Sequence, residues 1–316
     1  MKSLGKAVIA ASLAAGVATA PAVAQDFPDR PLTMIIPLGA GGSHDLIARV
    51  ITSVLPSHLG QPVVVQLMPG AGGQTGTAAA AAAQPDGYTM IFTHNFIDQV
   101  AQHVTTLPYD PNADFVTIGR INSALPSLTV RADSPFETYA ELAEYGRANP
   151  GELRFGHSGN WGATMVPGLA VFAQEDIDVS LIPYQGGGPT FQALLAGDVD
   201  FTFQFPSNLA GRDDVRPLLT VGEESIFDGV PSTGELGLDL ATSVGQMHRP
   251  VLVPSGVPED RLEVLRAAFV ALTEDATFRT LMQRLDEEIA WIDGPAYDEM
   301  RRAQSESFRQ LVEGFQ

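Results

Sequence analysis

Three glycine-rich stretches in this 316-residue chain each stand between an apolar run and a helical pattern. They are residues 37–43 (PLGAGGS), 69–76 (PGAGGQTG) and 156–163 (GHSGNWGA). Small residues let a backbone approach a ligand closely, and the unpaired N–H groups of a helix start point toward it. The chemistry this suggests is the holding of a carboxylate or phosphate by main-chain dipoles. For any single loop, a tight strand-to-helix turn is the plain alternative.

Other chemistries fail on spacing. Gly39, Gly41 and His44 lack the third glycine of the dinucleotide fingerprint, and Gly70, Gly72 and Gly76 are spaced one residue too far apart. Residues 110–114 (DPNAD) open like a calcium loop, but Phe115 and Ile121 stand where glycine and glutamate belong. Ser43, His44 and Asp45 are consecutive, so on a helix start they point apart and form no relay. There is no G-x-S-x-G elbow and no H-E-x-x-H zinc pattern. His44, His94 and His157 each lie at or just after the end of a strand-like run. His44 and His157 are candidate ligand donors, and His94 reads as a loop histidine. Trp161, inside a glycine loop, either packs back on the core or walls an apolar pocket.

Composition narrows the field further. The 18 basic and 37 acidic side chains give a net charge of −19, which argues against a nucleic-acid partner. Lys2 and Lys6 are the only lysines, and there is no cysteine. Both lysines belong to an expected secretory leader, residues 1–24: a charged start, an uncharged apolar run over 7–19, and the small-x-small site Ala22-Val23-Ala24. Its removal takes the charge from −19 to −21 and leaves no lysine at all. That excludes Schiff-base and Walker A lysines, thiol nucleophiles, cysteine-bound metals and disulfides. No cofactor and no metal are expected, and the core alone must hold the fold.

The elements that carry the loops alternate. Strands are expected at 32–36, 63–67 and 88–92, with helices starting near Ser43, which can act as a cap with Asp45 in the first turn, and near Thr75. This order predicts an α/β unit with a parallel sheet. A second set follows: strands at 115–122, 128–131, 153–157, 181–184 and 199–205, helices at 137–149 and 163–173, and a turn at 186–189 before a short helix at 191–195. Residues 222–245 read as mostly loop, 251–253 as a strand, and 258–272, 275–284 and 295–314 as helices.

The order of motifs resembles that of the substrate-binding proteins of tripartite tricarboxylate transporters, the Bug or TctC-like family. The matching segments are 27–31 (FPDRP), 37–45 (PLGAGGSHD), 59–65 (LGQPVVV), 69–73 (PGAGG) and 85–89 (PDGYT). They continue through 149–153 (NPGEL), 183–189 (PYQGGGP), 195–200 (LAGDVD) and 254–258 (PSGVP), across the whole chain after the leader. The resemblance implies a periplasmic receptor of the two-lobed, type II-like α/β class, with parallel-rich sheets joined by crossover strands. Lobe one is expected to hold residues 25–126 and 222–316, and lobe two 127–221. A small carboxylated solute would lie in the cleft, held mostly by backbone N–H groups and water. The partners implied are the membrane permease subunits, with the receptor itself a monomer. A solute sensor feeding a signalling system, or an exported hydrolase, is the alternative.

Transferred residue by residue, the first-lobe loop places Leu38, Gly39, Ala40 and Gly41, then Gly42, Ser43, His44 and Asp45, at the ligand. The second-lobe loop places His157, Ser158, Gly159 and Asn160, then Trp161, Gly162 and Thr164. Thr93 and His94 after the third strand, and Tyr184, Gln185 and Gly186 before the helix, border the cleft. The chain departs from the family pattern at His44, usually Thr or another small residue, at Trp161, and at residues 245–250 (GQMHRP), where an aromatic motif is usual. Leu67-Met68 likewise replaces an asparagine near the PGAGG loop. The exported protein should begin at Gln25; intact-mass and N-terminal sequencing of periplasmic material test this, and a chain starting at Met1 would contradict it.

Overall fold

A computed structural model of the chain describes residues 27–315. The expected leader lies outside them. Eleven strands are found among the described residues: β1 (Leu32–Ile36), β2 (Val63–Leu67), β3 (Thr89–Phe92), β4 (Phe115–Ala124), β5 (Ser127–Arg131), β6 (Arg154–His157), β7 (Ser180–Pro183), β8 (Phe201–Gln204), β9 (Val215–Thr220), β10 (Met247–Pro254) and β11 (Ile289–Asp293). They form two sheets, ordered β11-β4-β10-β3-β1-β2 and β7-β6-β8-β5-β9. Each sheet is mixed. β1 runs parallel to β2 and β3, and β6 parallel to β7 and β8, because a helix returns the chain between them. The remaining pairs are antiparallel.

Leu125 and Pro126 alone carry the chain from β4 in the first sheet to β5 in the second. It returns through β10, which pairs with β4 along its whole length. Strands β9 and β11 were not expected from the sequence. β9 contains Pro217, which weakens a strand pattern, yet it lies at the sheet edge, where proline is tolerated. β11 has no clean alternation because its side chains are only half buried. Trp291 in β11 lies against Gly119, where any Cβ would collide with the indole.

One apolar core lies under each sheet. The first includes Met34, Ile47, Ile51, Phe92 and Phe269. The second is built on Phe155, Phe172, Phe201 and Phe203, with Phe155 stacked on Phe201 at 5.1 Å. Leu238 and Ala241, on or beside the helix Asp239–Val244, pack into this second core. The expected boundary at 222 had put them in the first lobe, but their apolar side chains are covered by the second sheet's helix Met165–Gln174, with Ala241 N–H donating to Gln174 Oε1 (3.0 Å). A third cluster crosses between the sheets and joins Phe96, Phe205 and Met247 to Phe308, Leu311 and Val312 of the last helix, Gly294–Phe315.

The crossing is also tied by a buried ion pair. Arg249 in β10 and Glu287 before β11 both have no exposed side-chain surface, with Nη1–Oε2 at 2.6 Å and Nη2–Oε1 at 3.3 Å. Asn122 of β4 donates to Glu287 Oε2 (2.8 Å), and the Ser207 hydroxyl, following β8 of the second sheet, donates to Oε1 (2.6 Å). Removing one partner of such a pair strands a buried charge, which costs far more than the pair itself contributes. Glu287→Ala should therefore lower unfolding free energy by about 3–5 kcal/mol. Urea denaturation with an unchanged slope checks this; a loss below about 1 kcal/mol, the scale of a surface pair, would refute it.

Candidate functional site

The carboxyl ends of β1, β3, β6, β7 and β8 all deliver their loops to the junction of the two sheets, where open α/β sheets bind ligands. After β1, Gly41 takes a left-handed conformation (φ +76°) and Gly42 an extended one, and the helix Ser43–Val54 begins. Ser43 does not cap it. Gly42 holds the cap position and no side chain bonds there. Instead the Asp45 carboxylate turns back, accepts the Gly41 N–H (2.9 Å) and pairs with Arg49 (2.9 Å). A side chain two residues into the helix reaches that donor better than the Ser43 hydroxyl. Gly41's N–H, expected to face a ligand, is thereby occupied.

The second loop is tied in a similar way. Ser158 N–H donates to Thr164 Oγ1 (2.9 Å), and the two hydroxyls lie 3.0 Å apart. Gly162 N–H donates to the Gly159 carbonyl (3.2 Å). Trp161 adopts φ +56° and its ring packs on the cluster of Phe96, Phe205 and Phe308. Its indole is thus partly buried at the junction of the two sheets. Asn160 is exposed. The expected turn at 186–189 is in fact the opening of the helix Gly187–Ala196, preceded by Gly186 at φ +112°. Pro189 fits there because the first helical turn needs no N–H from it.

The two lobes meet backbone to backbone. Gly39 N–H donates to the Gln185 carbonyl (2.9 Å), and Asn208 Nδ2 donates to the Gly41 carbonyl (3.0 Å). A Cβ on Gly188 would lie 2.0 Å from the Ala40 oxygen and 2.8 Å from the Gly42 nitrogen. Between these loops remains a cavity of about 20 Å³. That volume holds about one water, so a larger solute requires the lobes to separate.

Of the residues expected at the cleft, Leu38, Gly39, Gly42, Ser43, His44, His94, Ser158 and Thr164 line this cavity. Ala40, Gly41, Asp45, Thr93, His157, Gly159, Asn160, Trp161, Gly162, Tyr184, Gln185 and Gly186 do not. Several of these act one step behind it, as Asp45 and Gln185 do through their bonds to the first loop. The sequence reading missed Ala163, Gly187, Phe203, Gln204, Phe205 and Met247. Phe203 to Phe205 end an expected strand, and that position was the available signal. For Met247 the signal was the departure from the family pattern at residues 245–250. A larger recess of about 560 Å³ lies at the opposite end of β6, but its Arg131 and Arg154 are paired with Asp133 and Asp200.

Three helix starts border the cavity: Ser43–Val54 through Gly42 and Ser43, Met165–Gln174 through its cap Thr164, and Gly187–Ala196 through Gly187. The positive ends of three backbone dipoles thus converge from both lobes. Among the described residues, no charged side chain lines the cavity. His44 is buried, donates Nε2–H to the Thr93 carbonyl (3.2 Å), and lies 5.1 Å from His94, ring to ring. His94 Nδ1 accepts the Ile97 N–H (3.3 Å). Burial, then the nearby Arg249 charge, holds the His44 imidazole well below its ordinary range. The same causes hold His94 down to about 3. Burial also lowers His157, against a bond from its Nδ1 to the Gly159 carbonyl.

Two lobes with loops converging on an enclosed junction define a solute receptor fold. The family model described as "Tripartite tricarboxylate transporter family receptor" matches residues 47–314. The chain belongs to this family. It is 32% identical over 302 residues to the "UPF0065 protein in gbd 5'region" of Cupriavidus necator, covering 92% of this chain and 89% of that one. Its structure is similar to the periplasmic binding protein BugD (TM-score 0.86, 26% identity, 91% of this chain and 98% of that one). It is also similar to MatC from Rhodopseudomonas palustris with bound malate (TM-score 0.83, 26% identity, 90% and 100%).

Both cavity histidines are neutral in the fold, whereas the unfolded chain protonates them near the ordinary value of 6.5. Below that pH the unfolded state binds more protons, so their contribution is intact above about pH 6.5 and is lost as pH falls, for His94 down toward about 3. His94→Gln should remove up to about 1.4 kcal/mol per pH unit from the loss of stability between pH 6.5 and 4. Urea midpoints measured against pH for both proteins check this, and parallel profiles would contradict it.

Proposed function

We propose that the protein captures a small organic acid between its lobes in the periplasm and passes it to the membrane subunits of a tripartite tricarboxylate transporter. The observation that carries this reading is the meeting of three helix starts, from both lobes, on one cavity without a charged wall. Such a site offers N–H donors to a carboxylate and no charged side chain to pair with it. The malate bound in MatC supports the same ligand class. The protein acts as a monomeric receptor and not as an enzyme, exported by a leader cut after Ala24. Its site comprises the loops at 38–45, 93–94, 157–164 and 184–187. Residues 25–126 with 222–316 form one lobe and 127–221 the other, with Leu238 and Ala241 packed on the second. The lobes hinge at the β4–β5 and β9–β10 links.

Closure is required because the donors come from both lobes and strengthen when water is excluded. Gly188 lets the lobes touch, yet it lies in a helix, where alanine is the better residue. Gly188→Ala should preserve the melting temperature of the free protein and weaken carboxylate binding at least tenfold, on the order of 1.4 kcal/mol. Titration calorimetry measures affinity, and small-angle scattering should show ligand-induced compaction in the wild type only. Equal affinity and equal compaction in the variant would refute closure on this contact.

A further inference from the structure

The cavity between the lobes has a counterpart behind the segments that join them. This hinge recess has a volume of about 410 Å³. Leu125 of the β4–β5 link and Gln246 at the end of the β9–β10 link form its floor. Asp286 and Glu288, just before β11, form the first-lobe wall. Pro206, Ile226 and Phe227 form the opposite wall. Phe227 packs there on the second lobe's apolar cluster of Phe191 and Leu194, and the hydroxyls of Ser225 and Thr220 of β9 lie 3.2 Å apart.

Neighbouring residues show on which side each space lies. Phe205 and Met247 line the cleft cavity, whereas the adjoining Pro206 and Gln246 line the recess. Successive residues of an extended segment point to opposite faces, so the crossing segments stand between the two spaces. The Arg249–Glu287 pair stands there too. Glu287 borders the recess, while Arg249 lies 5.2 Å from the ring centroid of Phe205 on the cleft side. Asn122 and Ser207 bond this pair to both lobes. Buried bonds of this kind are costly to break, so the lobes rotate about the pair rather than part from it. A rotation about such a fulcrum that widens the cleft narrows the recess.

Resting on the receptor reading above, we infer that the hinge recess is a second control point of the receptor: bulk that fills it holds the lobes closed over a bound solute. The cleft cavity of about 20 Å³ passes no solute unless the lobes separate, so release goes through the open state. The open state has the smaller recess. An occupant of the recess therefore fits the closed state better and shifts the equilibrium toward it, without touching the solute.

The chain has no cysteine, so a thiol introduced into the recess is unique. Ile226→Cys places it on the second-lobe wall and Glu288→Cys on the first, both at exposed positions. Each is labelled with N-ethylmaleimide or with the much larger N-(1-pyrenyl)maleimide. Val264→Cys, exposed on the helix Glu259–Glu274 and outside the recess, carries the same labels as the control. Radiolabelled malate, adipate and butyrate are the probes, and release into excess cold acid is timed on filters. The pyrenyl label at a recess position should slow release about fivefold or more relative to the ethyl label, with equal rates at Val264. Equal rates for the two labels at both recess positions, or equal slowing at Val264, would overturn the inference. Small-angle scattering of the free adducts separates it from the receptor reading. If none of the three acids binds the unmodified protein, that reading falls, but the pyrenyl recess adducts must still be more compact than the ethyl ones. Equal radii of gyration in that case would overturn the inference by itself.

Discussion

The contact on which the rest of this structure depends is backbone against backbone across the cleft. Gly39 meets the Gln185 carbonyl, and Gly188 fits between Ala40 and Gly42. No side chain can occupy that space, since a single Cβ at Gly188 would overlap the opposite loop. The glycines therefore set how close three helix starts can come, and that distance sets the field inside the cavity. Dipole effects fall off within the first turn of a helix, so an ångström of separation matters.

A strongly acidic chain can bind an anion because attraction here is local. The net charge acts across water and is screened over about 8–10 Å in physiological salt. The helix starts act at contact distance in a dry space. The buried Arg249 contributes differently. Its charge is matched by Glu287, so it orders the crossing strands and adds to burial in disfavouring protonation of the neighbouring histidines rather than offering itself to a solute. The network also spans β4, β10 and the residue following Pro206, so the same bonds that hold the crossing together reach the second lobe. Asp45 has a comparable role in the first loop: it accepts a loop N–H and stiffens the helix start.

The alternating strands and helices, the glycine loops and the helix starts near Ser43 and Met165 were legible in the sequence, because apolar period and glycine punctuation are local properties. The same holds for the family, whose motifs run the length of the chain. Local patterns misled at residues 186–189, where three glycines looked like a turn but open a helix. There a distant partner decided, since the first loop needs a side-chain-free helix start opposite it.

What the sequence by itself determined was the chemistry available: no lysine beyond residue 6, no cysteine, no nucleophile motif, and glycine loops able to bind an anion through the main chain. What only the tertiary structure decided was which atoms remain for that purpose. Gly41 and Ser158 lose their N–H groups to Asp45 and Thr164, while Phe203, Phe205 and Met247 arrive from strands far away in the chain. The reason is physical. Hydrogen-bonding capacity belongs to each residue, but whether a donor is already satisfied, and what apolar surface faces it, depends on neighbours that only folding brings within a few ångströms.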